Sequence, residues 1–144
     1  MESTVSKVLK HKGNRVVTVG PLETVAAVAD VLCQNRIGAV PVLEENGRVI
    51  GIISERDIIR GISEHAAGVL TLPAEQLMSR EVRMCSPGDP LVEISQVMTH
   101  QRIRHLPVVE NGALLGIISI GDVVKERLDE IQFEVEALRT YIVS

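Results

Sequence analysis

The chain is poor in the residues that most often announce a function. It has no Trp, one Phe and one Tyr, and these two, Phe133 and Tyr141, fall near the C-terminus. Single-stranded nucleic acid is usually held by bases stacking on aromatic rings in a basic groove, and the sequence supplies neither. A basic cluster, Lys7, Lys10, His11, Lys12 and Arg15, could touch phosphate. On a chain of net charge −4, however, it does not make the footprint of a nucleic-acid binder, and it reads as the solvated face of a short N-terminal helix. Cys33 and Cys85, the two cysteines, lie far apart with no CxxC pairing. That argues against a disulfide framework and a zinc knuckle and for reduced thiols in a cytoplasm. No apolar run approaches the ~18 residues of a membrane span, and the first residues lack the apolar stretch of an export signal. Nucleophile elbow, P-loop and HExxH are missing too, and no metal-ligand spacing surrounds any histidine. The expectation is a protein of the cytoplasm that is not an enzyme, not a nucleic-acid binder and not a membrane protein.

What the chain has is apolar residues, 45% of its 144, enough for one compact domain or two small ones fused tightly. It also repeats itself. At an offset of 66, Val16 falls on Val82, Pro21 on Pro87, Arg36-Ile37 on Arg102-Ile103 and Pro41-Val42 on Pro107-Val108. One residue is lost where Glu44-Glu-Asn-Gly47 faces Glu110-Asn-Gly112, and the register resumes with Gly51-Ile-Ile-Ser54 on Gly116-Ile-Ile-Ser119 and Asp57 on Asp122. Two copies of one supersecondary unit therefore build the fold, each hiding part of its apolar surface against the other.

Periodicity gives the order of elements within a unit. A short strand is expected at Val16 to Val19. Val25, Val28, Ala29 and Leu32 then trace one face of a helix, with Thr24 as its N-cap; Leu91, Ile94 and Met98 keep that face in the second copy. Two β-branched runs, Ala39 to Leu43 and Arg48 to Ser54, flank an Asn-Gly turn, a strong hairpin signal. A second helix follows from Glu55 to Ile62, and from Gly121 onward in the other copy. Each unit is thus strand, helix, strand, strand, helix. Short apolar segments precede both units, at Val5 to Leu9 and Ala74 to Met78, and a partly helical link runs from Ser63 to Pro73. The last helix overruns its counterpart: Val124, Leu128, Ile131, Val135, Leu138 and Ile142 recur at alternating spacings of four and three, a heptad-type seam unbroken by Gly or Pro.

Two motifs in the same order, twice, carry a resemblance: Arg36-Ile-Gly-Ala-Val-Pro-Val42 with Gly51-Ile-Ile-Ser-Glu-Arg-Asp57, then Arg102-Ile-Arg-His-Leu-Pro-Val108 with Gly116-Ile-Ile-Ser-Ile-Gly-Asp122. From about Val5 to Arg127 the chain resembles the paired CBS domains, named after cystathionine β-synthase. The resemblance implies an α+β fold of two tandem βαββα repeats packed sheet to sheet about a pseudo-twofold. Residues 1–72 would form the first repeat with its N-terminal segment and linker, 73–127 the second, and 128–144 a helical extension. It also implies two clefts for adenosine-containing ligands, with AMP the first choice, NAD or ATP the runners-up and S-adenosylmethionine a further alternative. Related modules often form disc-like dimers, and many are appended to an enzyme or transporter that they regulate, as in inosine monophosphate dehydrogenase. With no such domain in the sequence, the expectation is a stand-alone, Bateman-type sensing module, a homodimer or larger, acting on an unidentified regulated protein. The competing reading is a dimerisation scaffold with vestigial clefts.

The residues of the expected clefts carry their own chemistry. Asp57 and Asp122 open helices, where a carboxylate suits the helix dipole and its two oxygens can accept both hydroxyls of a ribose diol. Ser54 and Ser119 stand three residues earlier, with backbone amides pointing as they do at anion-binding helix starts. Ser-x-x-Asp is equally the pattern of ordinary capping. With so few rings, an adenine would lie between aliphatic side chains, Ile37, Val40 and Ile53 or Ile103, Leu106 and Ile118, its edge read by backbone near Thr18 and Met84; the same aliphatics serve equally as core. Gly38, Ala39, Pro41 and Pro107 complete the expected walls. For phosphate, the second copy has Arg104 and His105 where the first has Gly38 and Ala39, and the first has Arg56 where the second has Gly121. The expectation is that these cations divide between two clefts. Arg56 in a surface ion pair and a neutral, backbone-bonded His105 are the competing roles.

Overall fold

The structure, a computed structural model, describes residues 3–13 and 15–143. Its elements are α1 (Val5–Lys12), α2 (Val25–Asn35), β1 (Ala39–Leu43), β2 (Val49–Ser54), α3 (Glu55–His65), a 3₁₀ segment (Ala66–Thr71), α4 (Ala74–Leu77), α5 (Leu91–Gln101), β3 (His105–Glu110), β4 (Ala113–Ser119) and α6 (Ile120–Val143). The two hairpins, β1 with β2 and β3 with β4, form separate antiparallel sheets. The fold is the expected α+β pair of repeats with a long C-terminal helix.

Local chemistry sets the boundaries. Thr24 caps α2, its hydroxyl accepting from the Ala27 amide at 3.2 Å. Arg36 and Arg102 end α2 and α5 in the left-handed conformation at equivalent positions. The one-residue deletion between copies has a backbone explanation. In the first hairpin Gly47 alone of the turn takes a positive φ, +85°, and its amide donates to the Glu44 carbonyl. In the second, Asn111 and Gly112 both take positive φ, 51° and 79°, and join paired residues Glu110 and Ala113 directly. This is the tight two-residue turn that Asn-Gly favours.

The expected first strand of each unit is reduced to a single parallel bridge, Val19 to Val42 in one copy and Cys85 to Val108 in the other. Val19 and Cys85 each donate to and accept from the neighbouring strand, at Pro41/Leu43 and Pro107/Val109. The flanking Val16 and Thr18 face solvent, so the apolar run does not extend the pairing.

Packing redraws the repeat boundaries. Val5 and Val8 of α1 are buried in the core of the second copy, with Leu91, Met98, Leu106, Val108 and Ile118. Ala74 and Met78, around α4, are buried in the core of the first, with Val28, Val40, Val42 and Ile53. Backbone bonds seal both exchanges: Leu91 to Ser3 and Val5 to Asp89 on one side, Val25 to Leu72 and Ala74 to Glu23 on the other. The N-terminal segment, expected with residues 1–72, therefore packs into the core of the second repeat, and α4 into that of the first.

Of the aliphatics considered for an adenine sandwich, Val40, Ile53, Leu106 and Ile118 are fully buried core. The helix α6 inverts the usual amphipathic arrangement. Toward the body it presents Val123, Glu126 and Glu130, all buried, whereas the heptad seam Val124, Leu128, Ile131, Val135, Leu138 and Ile142 lies 41–79% exposed. Among the described residues no helix is long and apolar enough to cross a membrane.

Candidate functional site

A carbonyl at the start of each hairpin draws the following helix into place. The Gly38 carbonyl accepts from the Glu55 amide at 2.9 Å, and the Arg104 carbonyl from the Ile120 amide at 2.8 Å. These bonds set the N-termini of α3 and α6 against the first strand of their own sheet. At the start of α3, Ser54 and Asp57 form a reciprocal capping box: the Ser54 amide donates to Asp57 Oδ2 at 2.8 Å, the Ser54 hydroxyl to the same oxygen at 3.0 Å, and the Asp57 amide to the hydroxyl at 3.3 Å. The capping role weighed from the sequence is therefore real. It consumes Oδ2 and leaves Oδ1 outside the box, where the exposed Arg60 guanidinium reaches it at 3.5 Å.

In front of this box lies a cavity of about 220 Å³, lined by residues of both copies. Gly38, Ala39, Ile52, Ser54, Arg56 and Asp57 come from the first; Ile103, Arg104 and His105 come from the second. The expected division of cations between two clefts is thus not what the fold produces, because the start of β3 crosses to the first sheet and brings His105 within 3.5 Å of where a side chain on Gly38 would begin. A larger residue than glycine at 38 would meet this imidazole and Glu55. Ile103, half-buried, lines the cavity of the other copy's aspartate; Ile37 lines the opposite cleft, beside Ile117.

Electrostatics distinguishes the cations. Burial pushes the His105 imidazole below its ordinary value, the Lys12 ammonium pushes the same way, and the carboxylates of Glu55 and Asp122 do not make up the difference. At neutral pH His105 is therefore an uncharged ring that can donate or accept, and the cavity's positive charge rests on Arg56, Arg102 and Arg104. All three are exposed at its edge.

The opposite cleft, about 160 Å³, is lined by Leu9, Lys12, Gly13, Arg15, Val17, Asn35, Ile37, Gly116 and Ile117. Ser119 and Asp122 are bonded as their counterparts are, the Ser119 amide to Asp122 Oδ2 at 2.9 Å and the Asp122 amide to the Ser119 hydroxyl at 3.1 Å. They do not reach this cavity's wall. Four further expected residues stand apart from both cavities: Thr18 and Met84 are exposed, whereas Pro41 and Pro107 are buried in their strands, with carbonyls taken by Val19 and Cys85. Sequence reasoning assigned no role in the clefts to Lys12, one charge of the basic cluster, or to Glu55, which stands inside the first motif. Among the described residues no group of three His, Cys, Asp or Glu is placed to hold a metal.

A family model described as CBS domain matches residues 5–64 and again 74–129. The chain belongs to the CBS-domain family. A CBS domain-containing protein of Bacillus subtilis, YhcV, is 32% identical over 125 residues, 86% of this chain and 87% of its own. The crystal structure of a CBS-domain-containing protein of Agrobacterium tumefaciens superposes with a TM-score of 0.83 at 41% identity, covering 87% of this chain and 99% of that one. The CBS domain pair of protein MJ0100, solved with 5′-methylthioadenosine and S-adenosyl-L-methionine, shares the fold with a TM-score of 0.80 at 21% identity, over 90% of this chain and 99% of its own.

Proposed function

We propose that this CBS pair is a non-catalytic sensor of adenine nucleotides, AMP in the first place and ATP or NAD next, which binds them in the Asp57 cavity and signals occupancy to a partner protein. The observation that carries the reading is the convergence of Ser54, Asp57 and Arg56 with Arg104 and His105 around one cavity at the start of α3. Asp57 Oδ1, not used by the capping box, takes a ribose hydroxyl in place of the long contact to Arg60. Ile52 and Ile103 offer apolar faces to an adenine. The neutral His105 supplies a hydrogen bond, and Arg56 and Arg104 supply forked, charge-assisted donors to phosphate at the mouth. At about 220 Å³ the cavity is below the ~300–1,000 Å³ common for small-molecule sites, which suits a ligand whose phosphates lie outside it. The adenosine ligands of the MJ0100 pair support the ligand class.

The module works as a homodimer or larger assembly. The body-facing side of α6 carries Glu126 and Glu130 beside Val123, its outward side is apolar, and residues 131–143 are all exposed. Such a helix is marginal in water, and its seam is a patch that soluble monomers usually avoid. A second copy covering the seam resolves both. Calorimetric titration with AMP, ATP and NAD tests the proposal: the sensor binds at least one with micromolar to sub-millimolar affinity, whereas a scaffold with vestigial clefts shows no heat with any.

A further inference from the structure

The basic cluster of the N-terminal segment is exposed, as expected of a solvated face, but three of its members are also paired with carboxylates of α6. Lys7 Nζ lies 3.9 Å from Glu126 Oε2, His11 Nδ1 bonds Glu126 Oε1, and Lys12 Nζ donates at 2.8 Å both to the Ile117 carbonyl and to Asp122 Oδ2. Asp122 is the second copy's counterpart of Asp57, so one ammonium sits on the carboxylate that would take a ribose in the second cleft. The two clefts differ accordingly. In the first, Ser54 and Asp57 line the cavity; in the second, the wall stops at Lys12 and neither Ser119 nor Asp122 contributes.

The cause lies in the length of one helix. α1 runs for eight residues and α4 for four, so α1 carries an extra turn that delivers Lys12 to the cleft before Gly13, at φ +87°, ends it. Counted from the starts of the two helices, the place of Lys12 falls on Glu81, an exposed acid. α1 is held in this position by Glu126, which is 2% exposed and clasps His11 and Lys7. Its counterpart in α3 is the buried Gly61, packed by Leu77 and Val69 with no room for a side chain.

We propose that Lys12 is a gate on the second cleft that makes it selective for phosphate-bearing adenosine ligands over neutral ones. The inference rests on the nucleotide reading above. A ribose diol can reach Asp122 only when Lys12 leaves it, and a neutral nucleoside offers the displaced, two-thirds-covered ammonium no partner in return. A nucleotide's phosphate does, so the lysine exchanges one anion for another at little cost. Consistently, hydrogen bonds from Lys12 and Ser119 outweigh the upward push of burial and hold the Asp122 carboxyl below the usual carboxylate value.

The test uses the full chain and two probes, adenosine and AMP, by calorimetry, with Lys12→Met as the variant. Wild type takes one adenosine but two AMP per chain. Lys12→Met takes two adenosines, and its second AMP site weakens about tenfold or more through the lost charge-assisted donor. A carbon-detected pH titration of the Asp122 side chain in the unliganded protein shows a higher midpoint in the variant. Two adenosines already bound by wild type, or one by both proteins, overturns the gate while leaving the nucleotide reading in place, as does an unmoved Asp122 midpoint. No binding of either probe by either protein overturns the nucleotide reading and the gate with it.

Discussion

Gly51 and Gly116 occupy the same place in the two copies, yet replacing each by Ala should have unequal effects. On Gly51 a Cβ would lie 2.4 Å from Met78 Sδ, 2.8 Å from its Cγ and 3.0 Å from the Ser79 carbonyl oxygen. Met78 is 7% exposed in the first core and Ser79 is bonded twice to Ile52, at 2.8 and 3.1 Å, so neither gives way freely. Overpacking of this kind costs ~1–3 kcal/mol, and weakening two backbone hydrogen bonds, each worth ~0.5–1.5 kcal/mol when lost outright, adds about 1 kcal/mol in all. About 2–4 kcal/mol follows for Gly51→Ala. On Gly116 the Cβ meets Leu9 Cδ2 at 3.0 Å, the far end of a half-buried side chain that can turn aside, so Gly116→Ala should cost less than ~1 kcal/mol. For a chain of this size 1 kcal/mol moves Tm by roughly 3–4 °C. Scanning calorimetry should therefore find Gly51→Ala about 6–15 °C below wild type and Gly116→Ala within about 4 °C. Equal losses, or a larger loss for Gly116→Ala, would refute the packing argument and with it the exchange of α4 onto the first core.

Other consequences can be measured directly. Glu126 is buried, and its Oε2 has no hydrogen-bond partner among the described residues, so Glu126→Met should leave Tm unchanged or raise it, since apolar replacements of buried ionic groups are often neutral or stabilising; a fall of several degrees contradicts this. Burial, with the charge of Asp89 adding to it, pushes the Cys85 thiol up to about 12, whereas Cys33 is exposed. Iodoacetamide at pH 8 should then label Cys33 alone in the native protein and both cysteines in denaturant, as read by peptide mass spectrometry. A chain ending at Glu130 lacks most of the exposed seam and should scatter light as a smaller assembly; an unchanged mass with a lowered Tm would mean that the seam stabilises its own module instead.

The repeat, the hairpins, the helix order and the overlong last helix were legible in the sequence because each is written in local periodicity or in self-similarity. The first strands were not, since Val16 to Val19 has strand composition but its pairing depends on a neighbour that reaches only Val19. Residue type alone could not say which core Val5 and Val8 enter: the exchange of α1 and α4 conserves hydrophobicity on both sides. For the same reason Arg104 and His105 read as belonging to the copy that contains them, although the crossing of β3 toward Gly38 gives them to the Asp57 cavity. The Ser-x-x-Asp pairs were found by spacing, and the capping bonds leave Asp57 Oδ1 outside the box, so the two readings of that motif were never exclusive. Lys12 was visible only as one charge in a cluster, because what defines it is a carboxylate 110 residues away.

The central claim is that Asp57 receives the ribose of an adenine nucleotide. Asp57→Asn isolates it, because the asparagine oxygen can still accept from the Ser54 amide and keep the capping box but the side chain lacks the charge and the second acceptor oxygen. Titrating AMP into wild type and Asp57→Asn by calorimetry, with far-UV circular dichroism to show equal folding, is the most direct measurement. The account predicts loss of the tighter of the AMP sites or its weakening by about tenfold or more, as expected for losing ~1.5–3 kcal/mol of charged hydrogen bonding. Identical AMP isotherms for the two folded proteins would contradict it.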